Sequence, residues 1–221
     1  MQHNNNQQAK DKRQRCRGYY NRAKTSTPVF LLYGLPGCGK SRFAQVLAAC
    51  FPRTVIISTD SIRFELRVRA EDRSFENKTY TEMVSKAVQY IRKGNPVVLD
   101  ATFYRSAYRN LIYRSIERLN VKLFIFEFIT SRKVCQKRVA RRQHIGISAY
   151  QGVQDKSVVD YIAANADHLT RDEKANASAH YIIDTTTDIL EIKRGYNRRP
   201  VEIHEIVENI NKAYYNKFVR R

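Results

Sequence analysis

Residues 34–41 read GLPGCGKS and fit the pattern G-x-x-x-x-G-K-S. An apolar run at residues 29–33 precedes the octapeptide, and a segment with helical character follows it at residues 42–49. Strand, glycine-rich loop and helix form the context in which this pattern cradles phosphate groups. The glycines let successive backbone N–H groups turn towards phosphate oxygens, and the helix N-terminus adds partial positive charge. The motif therefore predicts an α/β fold that binds a nucleoside triphosphate.

Within this loop, the motif assigns a role to each kind of residue. Lys40 is expected to reach the β- and γ-phosphates, and Ser41 is expected to ligate magnesium. ATP and Mg²⁺ are therefore the expected cofactors. The predicted nucleotide-binding residues are Gly34, Pro36, Gly37, Cys38, Gly39, Lys40, Ser41 and Arg42.

Apolar runs predict five strands, at residues 29–33, 54–58, 96–99, 121–129 and 180–184. The runs are continuous rather than alternating, which is typical of a parallel sheet covered on both faces. Helices are predicted between them at residues 40–50, 80–93, 106–120, 131–143 and 157–166. The expected architecture is a three-layer P-loop fold with a parallel five-stranded sheet, helices on both faces and an arginine-bearing lid.

Both ends of the chain differ from this central pattern. Residues 1–27 are polar and basic, and we expect a flexible arm there. Residues 28–190 form the predicted kinase-like domain. Residues 191–221 form a basic extension, in which Pro200 opens a predicted amphipathic helix.

The charge of the chain favours a polyanionic partner. The sequence contains 40 Lys and Arg residues and 21 Asp and Glu residues, which gives a net charge of +19. Such an excess attracts nucleic acid before other partners. The sequence contains no long uncharged apolar stretch and no apolar core behind its basic N-terminus, so neither a membrane span nor a secretory signal is expected. Four scattered cysteines indicate reduced thiols and a cytoplasmic location, and nothing implies an obligate protein partner.

Asp60 and Arg63 follow directly after the second predicted strand. Ligand groups gather at the carboxyl ends of parallel strands, so Asp60 is expected beside the phosphate loop. A carboxylate there can accept the proton of an attacking hydroxyl. Arg63 lies one helical turn later and could hold a phosphate of the acceptor. The structural alternative is an aspartate that caps a helix, with a solvated arginine nearby.

Asp100 ends the third predicted strand, at the position of a Walker B aspartate that holds magnesium. The following residue is Ala101, whereas motor-type ATPases commonly have a glutamate there to activate water. The sequence also lacks the N-K-x-D motif of GTPases. Phosphoryl transfer to a hydroxyl remains the favoured chemistry.

Two helices carry further candidates. The helix after the fourth strand presents Arg138 and Arg142 on one face, where they could close over the transferring phosphoryl group. Thr102 and Arg105 are predicted to contact the acceptor. Arg105 begins a helix in which tyrosines alternate with arginines, a pattern that suits nucleic-acid contact but also fits ordinary core packing.

The motifs GLPGCGKS, DSIR, GNPVVLDATF, RVARR and HYIIDTT together resemble the P-loop kinases related to 5′-hydroxyl polynucleotide kinases, over about residues 28–187. Zeta-toxin-like, chloramphenicol-phosphotransferase-like and seryl-tRNA kinase-like enzymes belong to the same broad group. The resemblance implies that Asp60 is the general base, that Arg63 grips a 3′-phosphate and that Arg138 and Arg142 are lid arginines. Phe103 departs from the polynucleotide kinase pattern.

The sequence therefore predicts an ATP-dependent kinase whose acceptor is the 5′-hydroxyl of RNA or DNA. One alternative is a small-molecule kinase that acts on a nucleotide sugar, a nucleoside or an antibiotic. A second is a non-catalytic module in which ATP controls nucleic-acid binding. A third is a simple ATPase, which Ala101 disfavours.

Overall fold

The computed structural model of the chain describes residues 26–69, 72–144, 155–187 and 191–194. Residues 1–25 of the predicted N-terminal arm and the predicted amphipathic helix after Pro200 lie outside the described residues, and Thr27, the last residue of the predicted arm, begins the first strand. In the described part, no helix is both long and apolar enough to cross a membrane.

Six strands form one sheet in the order β2-β3-β1-β4-β5-β6. The first five are parallel to one another, and each overlaps a predicted apolar run. The strand bounds are β1 (Thr27–Tyr33), β2 (Val55–Ser58), β3 (Val97–Asp100), β4 (Val121–Phe128), β5 (Ala179–Asp184) and β6 (Glu191–Arg194).

The prediction of a five-stranded, wholly parallel sheet was wrong by one strand. β6 pairs antiparallel with β5, from Tyr181 opposite Arg194 to Asp184 opposite Glu191. Its sequence, Glu-Ile-Lys-Arg, contains a single apolar residue, because an edge strand needs little burial and charged side chains protect its open side. Such a strand does not stand out as an apolar run in the sequence. The sheet therefore continues past residue 190.

Helices cover both faces of the sheet, as predicted. In β1, Val29, Leu31 and Tyr33 pack on one face, and Phe30 and Leu32 pack on the other. The described helices are α1 (Lys40–Cys50), α2 (Thr59–Leu66), α3 (Glu76–Arg92), α4 (Ser106–Ile116), α5 (Arg132–His144), α6 (Lys156–Ala164) and α7 (Arg171–Asn176), with a 3-10 turn at Arg73–Phe75. Burial on both faces explains why the strands are apolar throughout.

The strand register brings the predicted site residues to one edge of the sheet. Leu32 of β1 and Ser58 of β2 both pair with Asp100 of β3. The carboxyl ends of β1, β2 and β3 therefore lie side by side. The phosphate loop follows β1, Asp60 follows β2, and Asp100 is the last residue of β3. The carboxyl ends of adjacent strands in an open α/β sheet are where ligands bind.

Candidate active site

The phosphate loop runs from the end of β1 into α1 and depends on two of its glycines. Gly37 and Gly39 have φ values of 82° and 100°, which side chains other than hydrogen rarely tolerate. A Cβ atom on Gly37 would lie 2.6 Å from the carbonyl oxygen of Cys135 in α5. Gly39 is the N-cap of α1 and lies in the left-handed region. These glycines permit the tight turn and the close approach of α5 to the loop.

Lys40 is buried at the start of α1 and its ammonium group is held by the loop. Its Nζ donates to the carbonyl oxygens of Gly34 at 2.9 Å and Leu35 at 2.8 Å. The third contact is to the Sγ atom of Cys38 at 3.5 Å. A thiol sulfur is a weak acceptor, so a phosphate oxygen could replace this contact and leave both carbonyl contacts in place.

Ser41 and Asp100 meet at the floor of the same site. Burial raises the pKa of Asp100, whereas the nearby Lys40 and a hydrogen bond from Ser41 oppose that shift. A hydroxyl and a carboxylate in contact provide two hard oxygen donors. This donor set fits Mg²⁺, which takes a few protein oxygens and fills its remaining positions with phosphate oxygens and water.

Asp60 and Arg63 both belong to the first turns of α2. The cap of α2 is Ser58, whose hydroxyl accepts the backbone N–H of Ser61, so Asp60 is not a capping residue. Arg63 Nη1 lies 3.7 Å from Asp60 Oδ1. Arg63 is only 8% exposed, and its Nε atom has no hydrogen-bond partner within the described part of the chain. A buried guanidinium with an unused donor is suited to an anionic ligand.

A cleft of about 680 Å³, including space open to solvent, joins these groups. Most of the residues predicted for the site line it: Pro36, Gly37, Gly39, Lys40, Ser41, Asp60, Arg63, Asp100, Thr102 and Arg142. Gly34, Cys38, Arg42, Arg105 and Arg138 lie outside this lining.

The two predicted lid arginines have different surroundings. Arg142, one turn further along α5, faces the cleft and lies near Asp100. Arg138 donates to Thr185 through Nη1, at 2.9 Å from Oγ1, and through Nη2, at 2.6 Å from the carbonyl oxygen. Thr185 in turn donates to the carbonyl oxygen of Cys38 at 2.7 Å. Arg138 thus supports the phosphate loop through Thr185.

Sequence reasoning missed several cleft residues, including Arg73, Glu76 and Tyr80. Buried Glu76 accepts the hydroxyls of Tyr104 and Tyr108, each at 2.8 Å, on one oxygen. Its other oxygen lies 3.3 Å from Arg73 Nη1. One signal was available: Glu76 lies four residues before Tyr80, on the core-facing stripe of α3, where a carboxylate is unusual.

The alternation of tyrosine and arginine in α4 is mainly core packing. Arg109 is fully buried and binds both carboxylate oxygens of Glu173, at 2.7 and 3.1 Å. It also donates to the carbonyl oxygens of Phe103 at 2.9 Å and Asp167 at 3.0 Å. Arg105, in contrast, is exposed and lies 5.5 Å from the ring centroid of Tyr104. Of these two arginines, only Arg105 is open to a ligand.

Replacing Arg109 tests its structural role. Arg109→Met removes the cation paired with Glu173 and the donor to the carbonyl oxygens of Phe103 and Asp167, so we expect the free energy of unfolding to fall by about 3–5 kcal/mol. Urea denaturation measures the change. The matched control is Arg114→Met on the exposed face of α4, where we expect a change within about 0.5 kcal/mol. Equal stability of the two variants would contradict this role.

Comparisons with known proteins agree with the fold. One family, described as an AAA domain, matches residues 29–169. No curated protein sequence is a recognisable relative of the chain. Among solved structures, an inferred kinase from Chloroflexus aurantiacus is 13% identical with a TM-score of 0.61, and the match covers 86% of this chain and 99% of that one.

Two further structures have the same fold. Kti12 from Chaetomium thermophilum, in complex with ADP-AlF3, is 17% identical with a TM-score of 0.55, over 72% of this chain and 89% of that one. A fungal RNA kinase is 15% identical with a TM-score of 0.52, over 89% of this chain and 98% of that one. The chain belongs to the AAA domain family that matches residues 29–169, and its fold is that of the P-loop kinases.

Proposed function

We propose that this protein is an ATP-dependent kinase that transfers the γ-phosphate to the 5′-hydroxyl of RNA or DNA. The observation that carries the proposal is that Asp60 lines the same cleft as Lys40, Ser41 and Asp100. A nucleotide site alone needs no carboxylate at the position of Asp60. A phosphoryl transfer to an alcohol needs a group that accepts the proton of the alcohol.

The nucleotide side of the cleft provides positive charge. Lys40 would contact the β- and γ-phosphates, and Arg142 would approach the transferring group from α5. Ser41 and Asp100 would hold Mg²⁺, which would neutralise negative charge on the nucleotide phosphates. Arg138 would act indirectly, since its guanidinium is bound to Thr185.

The acceptor side of the cleft begins at Asp60. Its carboxylate would accept the proton of the attacking hydroxyl, while the guanidinium of Arg63, which lines the cleft, would bind an anionic group on the acceptor. Thr102 also lines the cleft and would contribute a hydroxyl to the same ligand. Catalysis of this kind consists mainly of positioning and charge neutralisation, so few groups need to react.

The charge of the chain favours a nucleic acid as the acceptor. A net charge of +19 far exceeds what binding one ATP molecule requires. A basic surface concentrates polyanions and makes their binding sensitive to salt. The protein named as a fungal RNA kinase shares this fold. An RNA acceptor is consistent with the nucleic-acid acceptor that the charge of this chain favours.

An acceptor screen with labelled ATP tests the proposal. We expect label on oligonucleotides with a 5′-hydroxyl and none on the same oligonucleotides with a 5′-phosphate. RNA and DNA versions of one sequence establish which is preferred. Because binding releases counterions, the apparent affinity for the oligonucleotide should fall steeply as salt rises from about 50 to 200 mM.

Each alternative has its own outcome in this screen. Label only on small alcohols, with little dependence on salt, would identify a small-molecule kinase. Nucleotide binding with no labelled product would identify a non-catalytic module. Rapid release of phosphate without any acceptor would identify an ATPase.

A further inference from the structure

The turn after β3 holds a strained residue beside the cleft. Phe103 has a φ of 48° although it is bulky and fully buried. Bulky side chains rarely adopt positive φ, and such strain persists only where the surroundings enforce it. Thr102, the residue before Phe103 in this turn, lines the cleft, and Asp100 lines it from the end of β3. The groups that enforce the turn therefore also set the position of Thr102.

Two buried side chains hold the peptide groups of Phe103. Its backbone N–H donates to the hydroxyl of Tyr80 at 3.3 Å, and its carbonyl accepts from Arg109 at 2.9 Å. The rings of Tyr80 and Phe103 also pack, with centroids 5.4 Å apart. The ring of Tyr108 stacks on the ring of Tyr80, with the centroids 3.9 Å apart and an angle of 9° between the ring planes. Tyr80 is therefore a rigid support for the turn.

The hydroxyl of Tyr80 also lies 3.3 Å from Oγ1 of Thr102. Burial raises the pKa of Tyr80 to about 12, so the phenol keeps its proton at neutral pH. Either hydroxyl can donate in this contact. With Tyr80 as the donor, the phenol proton has Thr102 Oγ1 as its acceptor while the phenol oxygen accepts from Phe103 N–H. In that arrangement Thr102 accepts from Tyr80, and its own proton is available to an oxygen in the cleft.

We propose that Tyr80 is a positioning residue, whose hydroxyl holds the strained Phe103 turn and orients the Thr102 hydroxyl to donate to the acceptor. The inference rests on the proposed function, because it assumes that Thr102 contacts the phosphoryl acceptor. It assigns to Tyr80 a role in acceptor binding and none in nucleotide binding. The contact of Tyr80 with the acceptor is therefore indirect, through Thr102.

Tyr80→Phe removes the hydroxyl and keeps the ring that stacks on Tyr108. We expect the KM for the acceptor to rise about tenfold, as for the loss of one oriented hydrogen bond, while the KM for ATP stays unchanged. In a Thr102→Val background, Tyr80→Phe should have less than a twofold further effect, because the two residues act as a unit. The matched control is Tyr113→Phe, which removes a hydroxyl that donates to Glu173 at 3.1 Å, away from the cleft.

An unchanged acceptor KM in Tyr80→Phe would overturn the inference. So would a full additional loss in the Thr102→Val background, or an equal loss in Tyr113→Phe. The kinetics use whichever acceptor the wild-type protein phosphorylates, so a small-molecule acceptor would refute the polynucleotide proposal and leave this test intact.

If the wild-type protein phosphorylates no acceptor, the proposed function is refuted and kinetics cannot test the inference. Crystal structures of the wild-type protein and of Tyr80→Phe then test it. In Tyr80→Phe we expect Phe103 to leave the positive-φ region or Thr102 to change rotamer. Identical positions of both residues in the two structures would contradict a positioning role.

Discussion

Asp60→Asn is expected to reduce phosphoryl transfer about 10³-fold while nucleotide affinity stays within a factor of two or so. The asparagine has nearly the same shape but cannot accept the proton of the attacking hydroxyl. The carboxylate lines the cleft on α2 and does not belong to the phosphate loop, so ATP binding should survive. Single-turnover rates with labelled ATP and calorimetric titration of a non-hydrolysable analogue measure the two quantities.

The control for this variant is Asp155→Asn. Asp155 is an exposed N-cap of α6 whose side chain accepts the backbone N–H of Ser157. Asparagine caps helices as well as aspartate does, so we expect normal transfer. Normal turnover in Asp60→Asn would remove Asp60 from the mechanism and leave a nucleotide-binding protein with no assigned base.

Lys40→Met is expected to abolish both nucleotide binding and transfer, with a loss of rate on the order of 10³-fold or more. The ammonium group of Lys40 is held in the loop by the carbonyl oxygens of Gly34 and Leu35, which fixes it where the β- and γ-phosphates would lie. Methionine keeps an unbranched side chain of similar length and removes the charge. The thermal shift that ATP produces in the wild-type protein should disappear.

Circular dichroism separates a binding defect from a folding defect in Lys40→Met. The matched control is Lys137→Met on the exposed face of α5, which should bind ATP normally. Together the variants separate two functions: Asp60→Asn should bind nucleotide without transfer, and Lys40→Met should do neither. An undiminished ATP-dependent thermal shift in Lys40→Met would contradict the proposed phosphate site.

Much of the fold was predictable because the parallel strands are buried on both faces. Runs such as residues 29–33 and 121–129 are apolar at every or nearly every position, and β1 and β4 occupy them. β6 could not be predicted this way, since an edge strand has only one neighbour and its residues are mostly charged. The short α7 was also missed, although Thr170 and Glu173 form a capping box at its start.

The site was predictable where a residue follows a strand directly. Asp60 and Asp100 come at strand ends, and the register of a parallel sheet places them beside the phosphate loop. Arg73, Glu76 and Tyr80 were not predictable in the same way. They reach the cleft from a 3-10 turn and a helix face, and their position depends on how α3 packs on the sheet.

The two arginines predicted for a lid show a limit of helical spacing. Arg138 and Arg142 are four residues apart and were expected to act together, but four residues advance a helix by about 400°, which leaves an offset of about 40°. In the structure Arg138 contacts Thr185, whereas Arg142 lines the cleft. The spacing identified the helix face, whereas the partner of each residue required the tertiary structure.

A crystal structure with a non-hydrolysable ATP analogue and an oligonucleotide bearing a 5′-hydroxyl tests the proposed mechanism most directly. We expect the triphosphate against Lys40, with a carboxylate oxygen of Asp60 about 2.6–3.2 Å from the 5′-hydroxyl oxygen. The hydroxyl should lie in line with the γ-phosphorus and the leaving oxygen. A triphosphate seated at Lys40 with the 5′-hydroxyl bound away from Asp60 would contradict it.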